Sequence, residues 1–93
     1  MRRLLAVTRA SFEQRSQLAQ ALQTRIVIEQ AKGVLAERLR VTVDEAFEIL
    51  RTSARSGRRR IHDLAREVLE ERETPPAVAA ALPAVLSRRD PSE

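Results

Sequence analysis

One lysine, Lys32, stands next to one of the chain's two glycines, Gly33. The chain has 17 lysine and arginine residues in all, and every other one is arginine. The flanking residues have helical periodicity, and glycine inside a helix costs about 1 kcal/mol relative to alanine. Glycine lets another backbone or a phosphate come close, and a compact ammonium beside it suits a polyanion. The pair therefore predicts either a polyanion contact or a surface lysine beside a tolerated glycine.

A second group of cations lies between residues 51 and 60, a stretch with five arginines and no acidic residue. Arg51 and Arg55 are four residues apart and so share one helical face. The others follow directly: Arg58, Arg59 and Arg60. Arginine is favourable near a helix C-terminus in any case, so part of this pattern has a structural explanation. The net charge of +4 and this acid-free stretch together favour a polyanionic partner.

The sequence gives little support for a disulfide framework, a metal site or a catalytic site. The chain has no cysteine, which excludes a disulfide framework and a thiolate metal site. The single histidine, His62, stands beside Asp63 and is typical of a surface residue. Two glycines cannot form a glycine-rich phosphate loop. We therefore expect no enzyme, no metal and no cofactor, and the short apolar run at the start predicts a soluble cytoplasmic protein without a membrane span.

The apolar spacing predicts an all-α protein, a three-helix bundle with a long, partly coiled-coil first helix. A Ser11–Gln14 capping box places the start of that helix near residue 11, with an earlier start left open, and it continues to about residue 39. Thr42 and Glu45 form a second capping box before a helix over residues 43–56, which Gly57 ends. The third helix begins near Ile61.

The predicted organisation is a lead-in over residues 1–16, a three-helix domain over 17–73 and a flexible Pro/Ala-rich tail over 74–93. Leu18, Leu22 and Ile26 recur every four residues in the first half of the first helix, where little other sequence is near enough to cover them. An uncovered apolar stripe of this kind favours a homodimer through the first helix.

Three blocks of the sequence resemble an ANTAR domain, the RNA-binding domain of bacterial transcription antitermination regulators. Residues 25–35 contain the specific run R-x-V-I-E-Q-A-K-G-x-L. Residues 46–51 contain A-F-x-x-L-R and residues 59–65 contain R-R-I-H-D-L-A, and each of these two later blocks is weaker by itself. The resemblance covers roughly residues 17–69. It implies binding of RNA stem-loops in nascent leader transcripts, usually by a dimer, which prevents a terminator hairpin from forming.

Members of that family are usually switched by an attached sensor domain, which the residues before the match are too few to form. We therefore expect a stand-alone version that is constitutive, takes its signal from a separate sensor protein, or derives from a longer gene product.

Because RNA is held by cations and planar side chains, we expect five residues of the first two helices to meet in one cleft: Arg25, Lys32, Arg51, Thr52 and Arg55. The candidates are Arg25, Lys32, Gly33, Arg51, Thr52, Arg55, Arg58, Arg59 and Arg60. Gly33 would admit either RNA or the second helix, and the last three arginines would hold backbone phosphate. Two alternatives remain open at this point: a helical DNA-binding regulator, and a dimerisation or adaptor module without affinity for nucleic acid.

Overall fold

The computed structural model describes the backbone of residues 2–89 and the side chains of residues 14–89. Within that part of the chain all of the regular secondary-structure elements are α-helices, joined by short turns. The helices are α1 (Arg2–Leu39), α2 (Val43–Ser56), α3 (Ile61–Glu70) and α4 (Pro76–Leu86). The predicted all-α class is confirmed, whereas the predicted three helices are one too few. The domain boundaries at residues 16 and 73 stay predictions.

Helix α1 starts earlier than its capping signal indicates. The backbone is already helical from Arg2 and continues through Ser11, so the predicted capping box does not begin the helix. Arginine, leucine and alanine upstream are strong helix formers, and no proline or glycine interrupts residues 2–32. The helix ends at Leu39 because Arg40 adopts a left-handed conformation (φ 55°). This lets the Val41 N–H donate to the Ala36 carbonyl at 3.1 Å, as in a Schellman motif.

Helix α2 has the predicted bounds, and its capping box is present in full. The Glu45 N–H donates to Thr42 Oγ1 at 3.0 Å, and the Thr42 N–H donates to Glu45 Oε1 at 2.9 Å. Gly57 is the C-cap, as predicted, but its φ is −88°. The left-handed residue is Arg58 (φ 53°), so a second arginine occupies a position that usually favours glycine.

The core is aliphatic and lies where the second half of α1 meets the other helices. Among the described side chains of α1, those of Val27, Ala31 and Leu35 are buried. Their spacing places them on one face of the helix. The remaining buried apolar residues come from the three shorter helices: Ala46, Ile49, Leu50, Ala54, Leu64, Ala65, Val68, Val78, Ala81 and Val85. The first half of α1 extends beyond this core, which gives the molecule a longest dimension of 67 Å.

Helix α4 corrects the predicted flexible tail. Residues 76–86 form a helix that packs on α2 and buries Val78, Ala81 and Val85. Pro76 at the start of the helix suits its preset φ, and Pro83 lies inside it. The spacing of 78, 81 and 85 is helical, but the proline and alanine content obscured it. Residues 90–93 of the predicted tail lie outside the described part.

The exposed side of α1 carries large apolar side chains, as the sequence predicted. Leu18 is 64% exposed, Leu22 60% and Ile26 41%. They recur every four residues and therefore form a stripe, which we call the α1 stripe. The buried residues of α1 lie on the opposite side of the helix, so packing within one chain leaves the stripe uncovered.

Arg38 ties α1 to the C-terminal end of α3. Its Nη2 donates to the Glu71 carbonyl at 2.9 Å, and its Nη1 lies 3.5 Å from the Val68 carbonyl. These carbonyls belong to the last turn of α3 and the residue that follows it, where a cation complements the helix dipole.

We expect Arg38→Ala to lower the free energy of unfolding by about 1 kcal/mol, since charge-assisted hydrogen bonds to a helix end are lost. Chemical denaturation monitored by circular dichroism measures the change. Arg25→Ala is the matched control, because it removes an exposed arginine of the same helix and should change stability by less than about 0.5 kcal/mol. Equal stability of the two variants would contradict the role of Arg38.

Candidate nucleic-acid interface

The ring of Phe47 brings two of the candidate cations together. Lys32 Nζ of α1 lies 5.0 Å from the ring centroid, and Arg51 Cζ of α2 lies 5.7 Å from it. Both distances are within the range of cation–π attraction. The ring is half-buried at the α1–α2 contact, so it holds the two side chains at a defined edge of the bundle.

Each of these two cations also pairs with a carboxylate on its own helix. Lys32 Nζ donates to Glu29 Oε1 at 3.1 Å, and Arg51 Nη1 donates to Glu48 Oε1 at 3.1 Å. The Lys32 side chain is 15% exposed, so its ammonium is partly withdrawn from water. The formal charges of these four side chains cancel, and the site depends on its surroundings for a positive potential.

Gly33 faces open space. A Cβ built on it has no neighbouring atom within 4 Å, and the residue is exposed. The predicted close approach of the second helix is therefore wrong. The other alternative, close approach of RNA at Gly33, stays a prediction.

Arg25 and Arg55 extend the basic surface away from Phe47. Arg25 lies two helical turns before Lys32, about 10 Å along the axis of α1. Arg55 follows Arg51 by one turn on the same side of α2. Both are exposed, and neither forms an ion pair within residues 14–89.

Thr52 lies to one side of this group. It is half-buried and follows Arg51 by one residue, so it projects about 100° away around the helix. Its place in a single cleft with Lys32 stays a prediction.

The three consecutive arginines occupy the turn between α2 and α3, and all are exposed. Arg58 has the left-handed backbone described above, and Arg60 is the N-cap residue of α3. Arg59 Nη1 pairs with Glu67 Oε2 at 2.5 Å, which draws that guanidinium toward α3. Arg58 and Arg60 have no such partner among the described side chains.

Sequence reasoning missed a charged corner between α2 and the end of α4. Arg89 donates to both carboxylate oxygens of Glu45, through Nη2 at 2.7 Å and through Nε. Arg88 Nη1 lies 3.6 Å from Glu48 Oε2. The bond from Arg89, followed by that from the Thr42 backbone N–H, lowers the pKa of Glu45 to about 2. No local pattern signals contacts between residues 40 or more positions apart.

The residues considered for other chemistry do not assemble. His62 Nδ1 lies 3.8 Å from Asp63 Oδ1, too far for a hydrogen bond. Within the described residues, no group of three or more histidine and carboxylate side chains could hold a metal ion. In the same part of the chain, no helix combines the length and apolar character that crossing a bilayer requires.

The family of the chain follows from a comparison with protein families. The ANTAR domain profile matches residues 16–69, more than half of the chain. The chain belongs to the ANTAR domain family. This family is associated with RNA-binding antitermination regulators rather than with enzymes. Among curated proteins and among solved structures, no significant match to the chain was found.

The match places Lys32, Phe47 and Arg51 inside the ANTAR domain and leaves α4 outside it. Matched residues run from α1 to the last turn of α3. The match ends at residue 69, before α4 and the two arginines that follow that helix. The chain therefore has a helix beyond the matched residues, and that helix packs on α2.

The low pKa of Glu45 predicts how the contact between α2 and the end of α4 responds to acid. A carboxylate with a lowered pKa in the folded state stabilises that state above its ordinary pKa of 4.5. The stability is lost as the pH falls from there through about 2.

We expect carboxyl resonances followed by NMR to show Glu45 titrating near 2, and Arg89→Gln to raise that pKa. Between pH 5 and 2, the free energy of unfolding of the unsubstituted protein should fall more steeply than that of Arg89→Gln. A Glu45 pKa near 4.5 in the unsubstituted protein would contradict the contact.

Proposed function

We propose that this ANTAR protein binds stem-loops in nascent leader transcripts and regulates transcription antitermination. Membership of the family supports RNA as the ligand. The contact of Lys32 and Arg51 with Phe47 carries the proposal, because it joins the most specific sequence block of the family to the basic face of α2. The proposal puts the protein in the cytoplasm, where nascent transcripts are made.

Two kinds of RNA contact suit this surface. Bases splayed from a loop stack on planar groups, and phosphates are held by cations. The Arg51 guanidinium at the Phe47 ring is planar and held in place, which suits it for stacking and for hydrogen bonds to base edges. Lys32, beside the open surface of Gly33, is suited to a phosphate that approaches the helix closely.

The remaining candidates supply charge around that centre. Arg25 and Arg55 extend the surface along α1 and α2. At the next turn, Arg58 and Arg60 present guanidinium groups that form no ion pair with any described side chain. Cations of this kind hold the phosphate backbone and steer association without reading sequence. Arg59 and Thr52 contribute less, since one is paired with Glu67 and the other is half-buried.

Charge on α3 argues against insertion of that helix into a DNA major groove. Its exposed and half-buried side chains include Asp63, Glu67 and Glu70, against Arg66 alone. A recognition helix with three carboxylates would be repelled by phosphate on both sides of the groove. Hairpin RNA on the α1–α2 edge therefore has better support than duplex DNA.

We expect Lys32→Ala and Arg55→Ala each to weaken hairpin binding by about tenfold or more. The slope of log affinity against log salt should fall by about one for each lost phosphate contact. A filter or gel assay with a synthetic RNA of two adjacent stem-loops measures both quantities. Lys32→Ala should cost about 1–2 kcal/mol of stability, as expected for a cation–π pair that is partly withdrawn from water.

Arg66→Ala is the matched control, because it removes an exposed arginine from α3 and should leave RNA binding unchanged. Equal binding by Lys32→Ala, Arg55→Ala and the unsubstituted protein would contradict the site. Stronger competition by duplex DNA than by hairpin RNA would favour the DNA-binding alternative. Absence of salt-dependent binding would favour the adaptor alternative.

We further propose that two copies associate through the α1 stripe. The stripe is large, apolar and left open by packing within the chain, and a second copy presents the same surface, as a two-fold interface requires. Two copies would offer two RNA-binding edges, one for each stem-loop of a pair.

For this dimer we expect Leu22→Asp to raise the dimer dissociation constant by more than tenfold, since a carboxylate would be buried at the centre of the stripe. Sedimentation equilibrium measures the constant. Val43→Asp is the control: Val43 is 47% exposed but stands at the first turn of α2, where an acid is favourable. A monomeric unsubstituted protein would rule out the dimer.

A further inference from the structure

We propose that Arg88, which follows α4 and lies beyond the ANTAR match, makes the RNA-binding edge electropositive by neutralising Glu48. This proposal rests on the proposed function and names an additional residue of the same surface. In this proposal Arg88 does not contact RNA itself. It offsets the negative charge of Glu48, which would otherwise weaken the attraction between Arg51 and RNA.

The charges at the Phe47 ring show why another cation is needed. Lys32 is paired with Glu29, and Arg51 is paired with Glu48, so these two pairs have no net charge. A phosphate approaching Arg51 would meet the Glu48 carboxylate at the same time. Repulsion from that carboxylate offsets part of the attraction that the guanidinium offers.

Arg88 lies on the other side of the same carboxylate. Glu48 Oε1 faces Arg51 Nη1 at 3.1 Å, whereas Oε2 faces Arg88 Nη1 at 3.6 Å. The three groups are in contact, well within a screening length of about 8 Å at physiological salt. With Arg88 present, the triad of Arg51, Glu48 and Arg88 has a net charge of +1 instead of zero.

The rest of α4 explains how Arg88 is held there. The helix Pro76–Leu86 contains no charged residue and buries Val78, Ala81 and Val85 against α2. The adjacent Arg89 is anchored on both oxygens of Glu45. The apolar helix α4 thus packs on α2. The two arginines that follow it therefore lie beside the Glu45 and Glu48 carboxylates of α2.

The test is a charge-rescue experiment on the full chain with the same two-stem-loop RNA. We expect Arg88→Gln to weaken binding about two- to fivefold at low salt, the size typical of exposed charges, with a smaller effect at high salt. Glu48→Gln in the same chain should restore the affinity, because no carboxylate is left to neutralise. Thermal unfolding should be nearly the same for all these variants.

The pair Arg66 and Glu70 on α3 is a closely matched control. Arg66 Nη2 lies 3.5 Å from Glu70 Oε1, and the Arg66 side chain is 60% exposed against 61% for Arg88. Arg66→Gln makes the same change in net charge on another helix and should leave binding nearly unchanged. An equal loss from Arg66→Gln would show a general effect of net charge and would overturn the proposal.

Two further results would overturn it. Unchanged binding by Arg88→Gln would exclude any role for Arg88, while the proposed function would stand on the binding of the unsubstituted protein. A loss that Glu48→Gln fails to restore would show that Arg88 acts by another route, such as direct contact with RNA. Absence of hairpin binding by the unsubstituted protein would overturn the proposed function and this proposal together.

Discussion

Packing of one face of α1 against the shorter helices is the interaction on which the rest of the structure depends. Ala31 and Leu35 are fully buried, and α2 and α3 both pack on this part of the helix. Small and branched aliphatic side chains allow close helix contacts, and burying them supplies most of the driving force for folding. Lys32 follows Ala31 directly and is therefore held at the edge of the core, where its stem is covered while its ammonium reaches the surface.

That packing also explains why one of the chain's two phenylalanines lies beside two cations. Phe47 lies at the margin of the core rather than in its centre, so its ring contacts a cation from each of two helices. An aromatic ring in this position orients both cations before any ligand arrives. Preorganised charge costs less side-chain entropy on binding than two flexible cations would.

The electrostatic potential at the Phe47 edge depends on which cations are paired with carboxylates rather than on the total charge of the protein. A net charge of +4 says little about this surface, because Lys32, Arg51 and Arg59 each have a carboxylate partner. Arg25, Arg55, Arg58 and Arg60 have no partner within the described side chains and contribute more positive potential. The packing of α4 adds two arginines to this set of charges. Arg88 and Arg89 lie beside Glu48 and Glu45, which are 40 and 44 positions earlier in the chain.

The sequence alone determined the helical class, the bounds of α2, its capping box and the family, because these depend on local spacing and on short-range hydrogen bonds. It also identified Lys32 and Arg51 as candidates. The capping pattern at Ser11 indicated too late a start for α1, and the earlier start that the sequence also allowed is correct, because such a pattern does not interrupt a run of helix formers. Only the tertiary structure decided that α4 packs on α2, that Phe47 joins the two cations, that Gly33 faces open space and that Glu48 has two arginine partners. These depend on which helix faces meet, and pairing between distant residues leaves no local pattern in the chain.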